Sequence, residues 1–286
     1  MNEAVEKFET RLKELSAGEP HSTERIDALN DLAWEIGLTQ TKRALELAQE
    51  ASRLSKQVDY KKGVGLGHRT TGYCQLVFSN LEQAAEYSRT AIRELDESNE
   101  KLGKASAVNT LSLIYSGLGS YDEALKAALS CLAISKEVGS KLGEAWALHN
   151  IGYIYTETGD HQLALENQHR ALDLFREISY PVGEGRALAM LGILYGKIGE
   201  YDKALEHHQQ AVSKSLEQGI HIGATAGLAN VAQAYLKLGE IGEAKKMFQR
   251  LVEQYPKQPH VEEAMQLMAE TRRRSATRPN AKTRSR

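Results

Sequence analysis

A forty-residue period constrains this chain more than any other feature. Alanine recurs at Ala44, Ala84, Ala124, Ala164, Ala204 and Ala244, with no insertion between copies. Glycine recurs at Gly63, Gly103, Gly143, Gly183 and Gly223, and again at Gly119, Gly159, Gly199 and Gly239. Tyrosine stands at Tyr115, Tyr155, Tyr195 and Tyr235, and a small residue at Gly72, Ser112, Gly152, Gly192 and Ala232. A grid in register over that length marks a repeat architecture, in which no unit buries a core alone and each stacks on its neighbours.

Gly143–Tyr180 shows what one unit contains. Leu148, Ile151, Gly152 and Tyr155 are spaced i, i+3, i+4, i+7, one face of an α-helix. Gly159-Asp160 interrupts the pattern. A second amphipathic run then places Leu163, Ala164, Gln168, Ala171 and Leu172 on one face. The unit is a helix, a tight turn and a helix.

The period predicts the domain plan. It runs back to Ala4, so residues 1–16 form an N-terminal capping helix, with Phe8 in the register of Phe248. Ser16–Ser22 is a loop, and Ser22 or Thr23 caps the helix that follows. Six repeats cover about 24–59, 63–98, 103–138, 143–178, 183–218 and 223–255. The first is the most divergent, with Trp34 and Glu35 in place of an aliphatic residue and tyrosine. Residues 259–269 form a C-terminal capping helix, and 271–286 a basic, disordered tail.

Charge bears on partners. The chain's formal charge is −2, but the tail holds seven Lys and Arg and no acid. The rest carries 29 basic against 38 acidic residues, a balance near −9. The tail reads in three ways: a solvated end, a contact for nucleic acid or another acidic partner, or a linker. It has no interleaved aromatic residues for base stacking, so nucleic acid enters only weakly and through the tail. The first residues, MNEAVEKFETRLKEL, lack the apolar core of a signal peptide. No run approaches the ~20 apolar residues of a membrane span. Cys74 and Cys131 fall on packing faces of different repeats and read as buried reduced thiols. The expected location is cytoplasmic, without a membrane.

With the grid in hand, the chain resembles the tetratricopeptide repeat family in its forty-residue form. Gly152, Tyr155, Gly159, Tyr201-Asp202 and Ala164 stand where that family has small, aromatic, turn and packing residues. Similar arrays occur in kinesin light chains, Pins-type adaptors and bacterial peptide-responsive regulators. The resemblance implies an all-α fold, an α-solenoid of stacked antiparallel helix pairs forming a right-handed superhelix. It also implies a concave groove, lined by first helices, that holds a partner segment.

Function is sought on the other face of the first helices, where residue type changes from copy to copy. Repeat 2 gives Leu66, Arg69, Thr70, Tyr73 and Leu76; repeat 3, Ser106, Asn109, Thr110, Leu113 and Ser116; repeat 4, Trp146, His149, Asn150, Tyr153 and Thr156. Repeat 5 gives Arg186, Ala189, Met190, Ile193 and Gly196, and repeat 6 Ala226, Ala229, Asn230, Gln233 and Leu236. Varied columns suit a surface that reads a non-repetitive partner. Asparagine carries a donor and an acceptor and can clamp a peptide amide, as groove asparagines do in the kinesin-light-chain and Pins-type arrays. Inter-helix bonding is the competing reading for Asn109, Asn150 and Asn230, and packing for Asn30. Trp146, Tyr153 and Tyr73 are candidate aromatic anchors, with burial between helices as the alternative. The predicted peptide-binding set is Arg69, Tyr73, Asn109, Trp146, His149, Asn150, Tyr153, Arg186, Asn230 and Gln233. Arg69, Arg186, Lys197 and Lys237 outnumber Glu157 near it, which points to an acidic partner segment with an aromatic or aliphatic anchor.

Catalytic signals do not rise above the repeat. Lys62-Gly63-Val64-Gly65-Leu66-Gly67 imitates a phosphate loop, but Gly63 belongs to a glycine column and no strand precedes it. His149, His161, His169, His207 and His208 fall on different helix faces, without Cys or carboxylate at ligand spacing. The expectation is a non-enzymatic adaptor with no metal and no cofactor. The alternative is a sensory or regulatory module of a bacterial signalling system, acting on a separate kinase, cyclase or transcription factor.

Overall fold

The computed structural model describes residues 3–16, 21–256 and 266. Among them the secondary structure is helical: α1 (Glu3–Ser16), α2 (Thr23–Glu35), α3 (Thr41–Gln57), α4 (Lys61–Val77), α5 (Leu81–Glu97), α6 (Lys101–Gly117), α7 (Tyr121–Glu137), α8 (Lys141–Thr158), α9 (His161–Glu177), α10 (Pro181–Lys197), α11 (Tyr201–Glu217), α12 (His221–Leu238) and α13 (Ile241–Gln254). The helix expected over 259–269, apart from Gln266, and the tail 271–286 lie outside the described residues. Two compact units divide the chain, Met1–Ile154 and Tyr155–Arg286, with the division inside α8.

Each unit is a file of helix pairs. In the first, α1 packs on α2, consecutive helices pack through α7, and first helices meet directly, α2 on α4 and α4 on α6. In the second, consecutive packing runs from α9 to α13, and α10 meets α12. This is the α-solenoid arrangement, all-α and built from neighbour contacts. The α1 helix closes its end by packing Val5, with Phe8 and Leu12, on Leu32, Ile36, Ala44 and Cys74. Ser22 caps α2 by accepting from the Arg25 amide at 3.3 Å.

The turns repeat one hydrogen-bond pattern. After α6 the Gly119 amide donates to the Ser116 carbonyl (3.1 Å) and the Ser120 amide to the Tyr115 carbonyl (2.9 Å). This is a Schellman cap, which requires a left-handed residue just past the helix. Gly119 supplies it at φ 73°, as do Gly159, Gly199 and Gly239 in their turns. A second left-handed column, absent from the sequence reading, ends the second helices: Asp59, Asn99, Gly139, Ser179 and Gly219. Its residues differ, so no identity flags it, although the geometry recurs every forty residues.

The glycines near the start of each first helix do something other than begin it. The helices start two residues earlier, and the glycine is the point where the preceding second helix comes closest. A Cβ at Gly143 would lie 2.4 Å from Ser135 Oγ, one at Gly223 2.8 Å from Ser215 Oγ, and one at Gly183 2.3 Å from the Phe175 ring. The phosphate-loop imitation has the same explanation. A Cβ on Gly65 would meet Leu95 at 2.7 Å, and one on Gly67 would meet the Ala48 carbonyl at 2.8 Å, so these glycines admit neighbouring helices inside α4. The tyrosine column is half-buried, and three of its hydroxyls are held by the preceding repeat: Arg89 donates to Tyr115 (3.2 Å), Gln209 to Tyr235 (3.3 Å), and His169 bonds Tyr195 (3.2 Å).

One packing assignment needs correction. Leu163 is 42% exposed, while Ala164, Gln168, Ala171 and Leu172 are buried with Phe175. Its column elsewhere holds Gln83, Glu123, Lys203 and Glu243, polar residues of the outer side. Cys74 and Cys131 are buried free thiols, and burial pushes each up to about 11. No helix among the described residues is long and apolar enough to cross a membrane.

Candidate functional site

The varied face of the first helices divides into closed and open columns. The column of Asn30, Thr70, Thr110 and Asn150 is closed: all four are at most 3% exposed. In the register of repeats 5 and 6, Met190 and Asn230 are half-buried. The columns on either side are more open. Ser106 and Trp146, Asn109 and His149, and Leu113 and Tyr153 are half-buried in the first unit. Arg186, Ile193 and Gln233 are exposed in the second.

Closure comes from specific bonds. The Asn30 side-chain amide donates to the Gly63 carbonyl at 3.1 Å, tying α2 to α4. Asn150 donates to Asn109 Oδ1 at 2.8 Å, tying α8 to α6. Asn109 Oδ1 also lies 4.0 Å from Cys131 Sγ. Both asparagines that the sequence offered as clamps in the first unit are therefore engaged with each other, and Asn150 is buried. Asn30 bonds between helices, in line with the packing reading of its surroundings.

Arg69 is not on an open surface either. It is 8% exposed, with its guanidinium carbon 4.0 Å from the centre of the Trp34 ring, and Tyr73 packs its ring 5.5 Å from Trp34. Burial pushes its guanidinium down to about 10, and the charges of Asp31 and Glu100 oppose that shift. An Arg stacked on an aromatic face and buried along its length acts first in packing. Trp34, the mark of the divergent first repeat, is the residue that seats it. The positive excess inferred from sequence shrinks further because Lys197 pairs with Glu157 at 3.1 Å. Two of the four cations, Arg186 and Lys237, are exposed.

The second unit contains a cleft that the sequence analysis did not single out. Its volume is about 280 Å³, and α10, α11 and α12 line it through Gly192, Ile193, Gly196, Lys197, Tyr201, Ala204, His208, Asn230, Gln233, Ala234 and Lys237. Asn230 and Gln233 of the predicted set meet here; Arg186 is not among the lining residues. His208 is 4% exposed and its Nδ1 has no hydrogen-bond partner. Burial, with the neighbouring His207 charge, pushes this imidazole down to about 4. Two sequence signals were available. His208 stands in a column of Ser88, Ala128, Gln168 and Phe248, and Gly196 in one of Leu76, Ser116, Thr156 and Leu236.

The histidines are less scattered than their spacing suggested. The rings of His169 and His207 approach to 6.4 Å, and both pack on Tyr195. They share one side because adjacent second helices run in register. No group of three or more His, Cys, Asp or Glu that could hold a metal ion occurs among the described residues.

Comparison with known proteins agrees with this architecture. Three family models, each described as tetratricopeptide repeat, match residues 143–215, 197–270 and 105–138, together more than half of the chain. No curated protein matches the sequence. Among solved structures, the APC/C hetero-tetramer Cut9-Hcn1 is similar at a TM-score of 0.73 and 17% identity, covering 93% of this chain and 46% of that one. A signal transduction ATPase with a tetratricopeptide repeat sensor from Pyrococcus horikoshii gives 0.67 and 18%, covering 96% and 45%. A Rap protein complexed with competence and sporulation factor gives 0.64 and 15%, covering 96% and 86%. The chain thus spans under half the length of the first two, and at these identities the likeness is one of fold.

Proposed function

We propose that this chain, which belongs to the tetratricopeptide repeat family, is a non-catalytic scaffold that binds a protein or peptide segment on the open columns of its first helices. One observation carries the reading. The alanine column Ala44, Ala84, Ala124, Ala164, Ala204 and Ala244 is buried and keeps one residue type, whereas the columns that stay open on the first helices change type from repeat to repeat. Open positions that vary in this way suit a face that reads an irregular partner. In the first unit the contact set is Trp146, His149 and Tyr153 on α8, with Leu113 on α6. In the second it is Arg186 and Ile193 on α10 and Gln233 on α12. Aromatic and Arg side chains carry most of the energy in such contacts.

Asn150 belongs to the support of this face. Its amide fixes the spacing of α6 and α8 through Asn109, which sets the distance between Leu113 and Tyr153. Arg69 and Tyr73 both pack on Trp34. A partner with acidic residues fits the exposed Arg186 and Lys237.

The test is capture of partners from a lysate of the protein's own cells. Two double variants are compared with wild type, Trp146→Ala with Tyr153→Ala, and Arg186→Glu with Gln233→Ala. The expected result is at least tenfold loss of the specific partner in one or both, with unchanged far-UV circular dichroism. Full retention by both variants overturns the reading.

A sensory module acting through a separate effector is the second reading. It draws on the neighbour whose name describes a repeat sensor, and it requires the solution scattering profile to change on ligand binding.

A further inference from the structure

The buried cation of the first unit has no acid of its own. On α2, α4 and α6 every other Lys and Arg is paired with a carboxylate: Arg25 with Glu50 at 2.7 Å, Lys61 with Glu97 at 3.4 Å, Lys62 with Asp27 at 3.7 Å, Lys101 with Glu137 at 2.6 Å, and Lys104 with Asp96. Those cations are exposed or half-buried, where a pair adds little stability. Arg69 is buried, and among the described residues it has neither an ion pair nor a hydrogen bond. Its contact with Trp34 uses the face of the guanidinium. The N–H groups lie in the plane and point outward from its edge. Of the three nitrogens, Nε is sealed and unbonded, and the two terminal ones are not sealed. The open part is thus the end of the fork. Asp31 and Glu100 act on it from beyond ion-pair distance, and Glu100 lies 3.8 Å from Lys62. A buried charge without a partner is costly, and an incoming anion relieves that cost.

We propose that the terminal nitrogens of Arg69 receive a carboxylate of the bound segment, beside the rings of Trp34 and Tyr73. The proposal rests on the scaffold reading and adds the chemistry of one contact. Arg69 stands in the register of Asn109 and His149, half-buried residues of the open columns, so a segment lying on those columns passes it. Two features select a carboxylate. The end of a guanidinium offers two parallel N–H donors, which match the two oxygens of one carboxylate. Asp31 and Glu100 also oppose a doubly charged phosphate more than a single charge.

The experiment uses the full chain with 15N-labelled tryptophan and follows the indole N–H signals by NMR at pH 7 and about 0.15 M ionic strength. The chain has two tryptophans, so the signal that remains in Trp146→Phe belongs to Trp34. The probes are N-acetylglutamate amide, N-acetylglycine, N-acetylglutamine amide and N-acetylphosphoserine amide. The expected result is a saturable shift of the Trp34 signal by a carboxylate probe, with an at least tenfold weaker response to the glutamine probe. A response to the glutamate probe identifies an acidic side chain, and one to N-acetylglycine alone a chain terminus. Arg69→Met abolishes the response. Arg69→Lys keeps the charge without the fork and weakens it about threefold or more. Asp31→Asn, which removes an opposing charge, strengthens it.

No shift with either carboxylate, an equal response to the glutamine probe, a phosphoserine response as strong as the glutamate one, or full binding in Arg69→Met overturns the proposal. If Arg69→Met loses helicity, unchanged binding in both Arg69→Lys and Asp31→Asn overturns it instead. The probes need no partner, and the capture variants leave Arg69 in place. Failure here therefore leaves the capture result standing, and failure of the capture test leaves the Arg69 chemistry standing.

Discussion

Replacing Phe175 with serine is expected to cost about 3–5 kcal/mol, the range for emptying a large buried aromatic site. Repeat averaging points the other way. Ser55, Ser135 and Ser215 occupy the same column, so serine is its commonest residue. The structure shows why the repeats differ. Phe175 is fully buried, packs its ring 5.9 Å from Tyr180, and lies so close to Gly183 that no Cβ fits between them. Serine would leave a void walled by backbone that is held by the cap between α9 and α10, where the Tyr180 amide donates to the Phe175 carbonyl at 2.8 Å. Neighbour-coupled repeats lose stability locally. Hydrogen exchange should show the largest loss of protection in α9 and α10, with α2 to α5 nearly unchanged. Wild-type protection in α9 and α10 of Phe175→Ser would contradict this packing account.

Acid should destabilise the second unit through His208. The group is buried and its folded pKa, about 4, lies below the ordinary histidine value of about 6.5. Between those values the unfolded chain binds more protons than the folded one, so stability falls as pH drops through that window and is fully present above it. The full shift corresponds to on the order of 3 kcal/mol. Carboxylates titrate in the same range, so the measurement is the difference between wild type and His208→Gln in denaturant unfolding from pH 7 to pH 4. The wild type should lose about 3 kcal/mol more than the variant over that range. Parallel curves would show that His208 is protonated in the folded state without penalty.

The period made the helices, the first-to-second turns and the packing alanines legible, because each is a local geometry that recurs with one residue type. Gly119, Gly159 and Gly199 are such cases. The second set of left-handed turn residues was not legible, since Asp59, Asn99, Gly139 and Ser179 meet one requirement with four residue types. Depth was the harder matter. Spacing puts Asn150 and Tyr153 on one face, but only the distance to Asn109 on another helix shows that the first is shut and the second half-open. Arg69 misled for a similar reason, because a long charged side chain can lie flat on Trp34 as readily as reach solvent. The cleft was hidden in a pair of departures from column type, His208 and Gly196, whose meaning depends on their meeting in space.

The most direct measurement of the central claim is hydroxyl-radical footprinting of the full chain with and without its captured partner. Binding on the varied open columns predicts protection at Trp146, Tyr153 and Ile193, with Leu38 and Leu118 at the turns unchanged. Protection confined to those turn leucines, with the first-helix residues as reactive as in the free protein, would contradict it.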